Sequence, residues 1–568
     1  MKEKLAVRKS KYSFFGSISV RGAGHSIRAV RNFASKTLGA LSEKFIFTSA
    51  RAFGAFGLTY GLLSLILYYG KSYFENVTEI DPVYMAVGIV SCVLSAPLLF
   101  FDKPICLFLQ DFYISDFVLF EFFSLKRMDV VDAVPGFSVL FAVILGVIPA
   151  AVGIFVSPLY VLLVIFLLVF FFAAILTPEF PVIFALLIAP YLSPIPDTGL
   201  ILASLALLSF VSFAAKVATG KRAYHFEIYD ALFFLVSVFF FIGGLVNGDV
   251  ADSLVMLAIT LSYVPVSNII VNRRLADCAV NALIISSLPI SIASIIQYAF
   301  SFSGKLSFNG QSVFASQDGF AAFLLIATTL SVFFAKEKKA VIKKIFYSFV
   351  AALHLANVVF IWKSALWLTL LVSVFAYAVI SSKKVRKELL VILLALPYVL
   401  LFFTEGMFVW ASEFFSITPS ASERFELWKA GLEKISENVV FGFGFGSAEL
   451  GSNAFIALAL NFGVPILAIL ALVFLLRTVQ LSAYSAFMSG SLLMILSEGL
   501  AMSVFGLFAL GAWIDVFSDI TIYFLFIMIF GLSSASMRIS RHEYLERVDY
   551  YKDLRSVDSS DVSVRLSR

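Results

Sequence analysis

The chain has 568 residues, of which 61% are hydrophobic and only 14% charged, with 64 phenylalanines and a formal net charge of +5. This composition excludes a soluble globular or disordered protein, because too little polar surface remains to cover a core in water. It leaves a chain that lives in lipid, where each backbone group must be satisfied within its own helix.

From the N-terminus, residues 1–52 form a basic arm in which Lys2, Lys4, Arg8, Lys9, Lys11, Arg21, Arg28, Arg31, Lys36 and Lys44 face only Glu3 and Glu43. A basic arm ahead of a first span marks the cytoplasmic flank and contact with anionic membrane lipids, in preference to nucleic acid. The first apolar run starts too late for a cleavable signal peptide and reads as a signal anchor. Cys92, Cys106 and Cys278 fall in or beside apolar runs without metal spacing, as small buried hydrophobes do.

Across 53–535 apolar runs of bilayer-crossing length recur, which predicts an all-α, polytopic helical membrane protein with about 14–16 spans. Candidate spans start near Phe53, Val83, Phe137, Pro158, Glu179, Gly199, Asp230, Asp252, Ala279, Gly319, Ile345, Ala365, Glu388, Asn453, Ala483 and Trp513. Basic connections alternate with acidic or neutral ones. The basic set includes Lys126, Lys216, Arg273, Lys336, Lys383, Arg477 and the tail from Arg538; the other set includes "ENVTEID", "PIPDTG" and "NGDVAD". Positive charge stays on the cytoplasmic side, so both termini are expected inside and the loop 405–451 outside. The alternating aromatic and acidic residues of 102–135 read as an interfacial helix pair, and 536–568 as a polar, partly disordered cytoplasmic tail.

The long loop carries "SASERFELWKAGLEKISENVVFGFGFG" from Ser420. Ser420 and Glu423 fit a capping box, so a helix is expected from about Ala421 to Asn438. Phe425, Trp428, Leu432 and Ile435 would share an apolar face, flanked by Arg424 and Lys429, with the glutamates pointing away; such a helix lies on a membrane surface. A guanidinium held at headgroup depth suits a lipid diphosphate, which singles out Arg424. The glycines of "GFGFG" lack the spacing of a dinucleotide fingerprint but let backbone approach a partner closely.

This stretch, with the following "SNAFIALALNFGVPILAIL", resembles the large external loop and next helix of the O-antigen ligase and O-antigen polymerase family. That family carries an Arg, a Trp about four residues on, a turn near "ENPLFGxGxG", and "HNxFLxxLxExGxxG". The similarity extends over 230–535. "FNGQSVFASQDGFAAFLLI" is similar to a second family segment, with Gln317 and Asp318 where Pro-Asn would stand, and "WKSALWLTLLVSV" to a third, with Lys363 in its basic region. Ser452 stands where ligases carry a His before the Asn that matches Asn453.

The resemblance implies a glycosyltransferase-like polymerase or ligase in the bacterial cytoplasmic membrane. Its partners would be a polyprenyl-diphosphate-linked glycan donor and a glycan acceptor, with no cofactor and no metal. Cations can neutralise a departing diphosphate without a metal ion. Arg424 is then the leading catalytic residue, Asp318 or Glu449 the base for the acceptor hydroxyl, and Lys363, Lys429, Lys305, Trp428, Gly444 and Asn453 the substrate-binding set. Glu498, within a span, is either functional or hydrogen-bonded between helices; Asp515 and Asp519 could ring the same site, and His354 and Asn357 are expected to share interhelical hydrogen bonds. The rival classes are a lipid-linked sugar flippase or secondary transporter, and a non-catalytic member of the family.

Overall fold

A computed structural model describes residues 48–74, 82–105, 107–108, 136–153, 158–176, 178–218, 222–302, 314, 316–338, 340–361, 364–381, 421–447, 453–487 and 492–566. Among them no strand occurs, only an isolated bridge between Ser49 and Pro104. The protein is an all-α, multi-pass membrane protein. Eight of the described helices are long and apolar enough to cross a bilayer, and six further apolar helices are shorter.

The chain divides into two compact units. Among the described residues the smaller takes in those of 48–180 and 215–222, and the larger those of 181–214 and 223–566. The smaller unit contains α1 (Ala50–Phe74), α2 (Pro82–Ser95), α3 (Val139–Val152) and α4 (Pro158–Leu176). The entry to α1 is tied down by backbone bonds, Ala50 N–H to the Lys103 carbonyl and Ile105 N–H to the Thr48 carbonyl, both 2.9 Å. Arg51 adds an ion pair to Asp102 at 2.8 Å. Next come α5 (Glu179–Leu192) and α6 (Thr198–Ala218).

The rest of the larger unit is α7 (Ile228–Asn247), α8 (Val250–Leu261), α9 (Tyr263–Ile269), α10 (Arg273–Phe302), α11 (Gln317–Glu337), α12 (Val341–Ile361), α13 (Ser364–Ser381), α14 (Ala421–Ile435), α15 (Ala454–Phe462), α16 (Val464–Phe487), α17 (Leu492–Gly511) and α18 (Ile520–Leu566). Its core centres on α11 and the first half of α18, whose side chains are buried nearly all round. Such all-round apolarity belongs to helices enclosed by other helices. The phenylalanines interlock these helices: Phe233 meets Tyr263 at 4.5 Å, Phe240 meets Phe462 at 4.6 Å, and Phe474 stacks on Phe508 at 4.4 Å. Buried polar side chains pair between helices, as hydrocarbon requires. Tyr347 donates to Asn281 at 2.7 Å, and the His354 ring lies between Ser287 (3.0 Å) and Ser291 (2.7 Å). Asn357 donates to the Ser291 carbonyl at 3.1 Å. His354 and Asn357 thus share interhelical bonds, as their place in a span predicts. Glu498 accepts from Tyr377 at 3.4 Å, the interhelical alternative of the two expected for it.

One end of the larger unit gathers charge in pairs. Arg273 meets Glu337 at 2.8 Å and Lys338 meets Asp277 at 3.0 Å. Arg477 lies with its guanidinium over the rings of Tyr229 (4.6 Å) and Phe530 (4.7 Å). This corrects its expected place in a connection: Arg477 is a buried residue inside α16.

Three further expectations change. The span expected from Asn453 is two helices, because Gly463 adopts φ 90° and Pro465 follows in the first turn of α16. A left-handed glycine ends a helix readily, and an early proline starts the next at no cost in hydrogen bonds. The last span begins at Ile520 instead of near Trp513, since the polar turn with Asp515, Ser518 and Asp519 comes first. The tail is helical through Leu566. No Gly or Pro interrupts 532–566, and Glu543 precedes Arg547 by one helical turn. Residues 1–47 of the expected arm 1–52, residues 109–135 of the expected interfacial pair 102–135, Cys106 and the span near Glu388 lie outside the described residues.

Candidate functional site

The loop helix forms where the capping-box signal puts it, over Ala421–Ile435. Its buried face is Trp428, Gly431 and Ile435, whereas Leu432 is exposed. Trp428 and Ile435 pack against Ile456, Ala459 and Leu460 of α15, with Ala512. Trp428 and Ile435 of the apolar stripe therefore meet protein, because α15 offers a matching face of small and branched side chains, and Leu432 stays outside that contact. Asn453 caps α15, its side-chain oxygen accepting from the N–H groups of Phe455 (3.1 Å) and Ile456 (2.9 Å).

The glycine turn then runs beside the C-terminal end of α15. Phe443 N–H donates to the Leu460 carbonyl at 2.8 Å, Gly444 N–H to the Asn461 carbonyl at 3.1 Å, and Val464 N–H to the Val439 carbonyl at 2.8 Å. The first two bonds satisfy carbonyls that the break at Gly463 would otherwise leave open, and the third occupies the free N–H at the start of α16. Gly444 has φ 95° and its α-carbon abuts the Asp249 carboxylate, so a side chain there is excluded twice over. Lys434 covers the Phe443 ring at 5.1 Å. The turn leaves Phe445, half-buried, in the wall of a cleft.

That cleft, of about 470 Å³, lies where α6, α8, α11 and α18 begin. Each helix start brings an acid. Asp197 precedes α6 and holds φ 60°, a conformation Asp tolerates better than most residues. Asp252 sits in the first turn of α8, Asp318 in the first turn of α11, and Asp519 caps α18 by accepting from Thr521 N–H at 3.0 Å. Acids are favoured there by the helix dipole. Ser316 closes the start of α11 by accepting from Gly319 N–H at 2.8 Å. Asp197, Asp252, Asp519, Ser193, Ser316 and Phe445 are among the lining residues, and no Lys or Arg is among the described ones. The Asp519 Oδ2 atom abuts the α-carbon of Gly319. Burial raises the Asp519 carboxyl above its usual range, against the opposing pull of the Thr521 and Ile522 N–H groups. Burial pushes Asp515, in the adjoining turn, up to about 6, against the Ser518 N–H.

An apolar cavity of about 640 Å³ in the smaller unit is larger, but Thr48 is the single polar side chain among its described lining. It offers little to orient a reacting group. The polar cleft is the candidate site.

Of the residues singled out from the sequence, Asp318 stands between Ser316 of the cleft wall and Gly319, and Gly444 adjoins Phe445. Trp428 and Asn453 serve the packing and capping of α14 and α15, and Lys429 is exposed. The Arg424 side chain, Lys363, Lys305 and Glu449 lie outside the described residues. Asp197, Asp252, Phe445 and Thr521 were missed as site residues. The signal present in the sequence is the pair of acidic connections "PIPDTG" and "NGDVAD". Among the described residues no group of His, Cys, Asp and Glu could hold a metal ion. No family model matches the chain, and a search of curated proteins finds no match.

Proposed function

We propose that the chain is a membrane glycosyltransferase-like polymerase or ligase that joins lipid-diphosphate-linked glycan units at the outer face of a bacterial cytoplasmic membrane. The observation that carries the reading is the polar cleft at the ends of membrane-length helices, into which the family-like glycine turn delivers Phe445. An outward-facing cleft is supported by Arg273 and Lys338 at the far end of α11, since positive charge tends to stay on the cytoplasmic side. In the reaction the acceptor's hydroxyl oxygen bonds to the donor's anomeric carbon. The bond from that carbon to the diphosphate oxygen breaks, the diphosphate leaves with the electron pair, and the hydroxyl proton passes to a cleft carboxylate. Arg424, on the loop helix, is the group proposed to grip the diphosphate.

Lipid-linked saccharides extracted from cells lacking the protein test this. Accumulation of single lipid-linked units in the outer leaflet is expected. Units retained in the inner leaflet would instead identify a flippase, and an unchanged profile would reject glycan assembly altogether. Arg424→Lys should shorten surface glycan nearly as much as Arg424→Ala, since Lys offers a point charge and no fork.

A further inference from the structure

In the smaller unit, α1, α3 and α4 surround the apolar cavity of about 640 Å³. α3 lies tight against α1 at Gly146, where an added Cβ would fall 2.8 Å from the Phe56 carbonyl oxygen. α4 joins them where Val161 packs with Ala150 and Tyr60. The wall that α3 contributes runs from Phe141 to Val152, about 16 Å of helix rise. That is the depth of one leaflet in a hydrocarbon core of roughly 30 Å. The cavity is a groove open along one side, since Leu145, Ile148 and Leu168 of its wall are exposed.

The lining restricts what can enter. Thr48 is the single polar side chain among the described lining, and its hydroxyl accepts from the Phe137 N–H at 3.1 Å. Water needs several polar partners to stay in a cavity, and a polar solute would find little to orient it. At membrane depth a hydrocarbon chain fills such a groove at no cost in hydrogen bonds. Charge stands at one end. Arg51 lies between the lining residues Thr48 and Ala52 along the chain, and the Lys103 carbonyl accepts from Ala50 N–H at 2.9 Å. Arg51 and Lys103, both exposed, outnumber the exposed Asp102 that Arg51 holds at 2.8 Å. The basic segment 1–47 comes just before in the sequence and marks this end as cytoplasmic. Anionic lipids concentrate in that leaflet, and basic pockets between spans on that side hold their headgroups.

We infer that this groove holds one acyl chain of an anionic phospholipid of the cytoplasmic leaflet, with the phosphate of its headgroup at Arg51 and Lys103. The chain lies along α3 against α1, and the two cations make the site selective for negative headgroups. The site is independent of the glycan-transfer reading, because all its residues precede 230.

The test places the full chain in nanodiscs of mixed phosphatidylglycerol and phosphatidylcholine, with a photoreactive diazirine in the acyl chain of one lipid or the other. Crosslinked positions are read by peptide mass spectrometry. The exposed face of α12, with Ile342, Ile345 and Phe349, reports ordinary lipid contact in the same sample. Phosphatidylglycerol should label the groove above the level of that face, and phosphatidylcholine should not. Leu145→Trp, from the open side of the groove, should fill it and bring its labelling down to the α12 level. Val164→Trp, from the α4 wall, should do the same, and unchanged α12 labelling in both shows an intact bundle. Lys103→Gln leaves the groove free but should reduce the preference for phosphatidylglycerol about fivefold, the worth of one cation near the surface. Equal labelling of groove and α12 face by both lipids overturns the inference, as does labelling untouched by either tryptophan. Unlabelled lining beside a labelled α12 face would mean that protein covers the groove, which overturns it too.

Discussion

The two ends of the larger unit use acidic residues in opposite ways. At the basic end, Glu337 and Asp277 are buried and held by Arg273 and Lys338 at 2.8 and 3.0 Å. At the cleft end, Asp197, Asp252 and Asp519 line open space with no described cation among them. Paired buried charges fix the geometry of helices and are costly to break. Acids gathered at helix starts around a cavity cost less to hold, because the dipoles favour them, and they keep acceptor capacity for a ligand. The difference separates a structural clamp from a candidate site.

The largest expected effect lies in what supports the cleft. Trp428→Ala removes the buried ring that docks α14 on α15, at a cost of about 3–5 kcal/mol to that local packing. Hydrogen exchange across 421–447 should rise sharply while exchange in α11 and α18 stays slow. Uniform loosening of the whole bundle would show that the loop helix is not a separate layer.

The clamp comes next. Glu337 is fully buried, but its partner Arg273 is 39% exposed, so Glu337→Ala should cost about 2–3 kcal/mol after allowing for solvent screening. Asp252→Asn, exposed at the cleft, should stay within about 0.5 kcal/mol. Detergent-solubilised unfolding of both variants tests the contrast, and equal losses would erase it.

A smaller effect is titratable. Asp515 is pushed up to about 6 by burial, against an ordinary carboxylate near ~4. Between those values the folded chain holds a proton that the unfolded chain has released. Stability should therefore fall as pH rises through the window and level off above it. Asp515→Asn should flatten that part of the profile relative to the native chain. A native profile that rises there, with no change in the variant, would contradict the burial of this carboxyl.

Much of this was legible in the sequence. Length and apolarity gave the all-α membrane class, and Ser420 with Glu423 gave the loop helix nearly to its boundaries. The burial of Trp428 against α15, with Leu432 left exposed, was hidden because an apolar stripe does not say whether lipid or protein covers it. The break at Gly463 was legible in principle from "NFGVP", but the apolar run on either side masked it. The cleft was least visible. Asp197, Asp252, Phe445 and Asp519 are far apart along the chain, and only the convergence of four helix starts brings them together.

If the cleft acids serve glycan transfer whereas the clamp acids hold the fold, Asp519→Asn is the variant that must show it. The amide oxygen can still cap α18 through Thr521 N–H, so folding is preserved while the carboxylate is lost. Surface-glycan chain length is measured in cells expressing this variant and Asp277→Asn, compared per amount of membrane-inserted protein. Collapse to single units is expected for Asp519→Asn and native length for Asp277→Asn. Native chain length in the Asp519→Asn cells would contradict that role for the cleft acids.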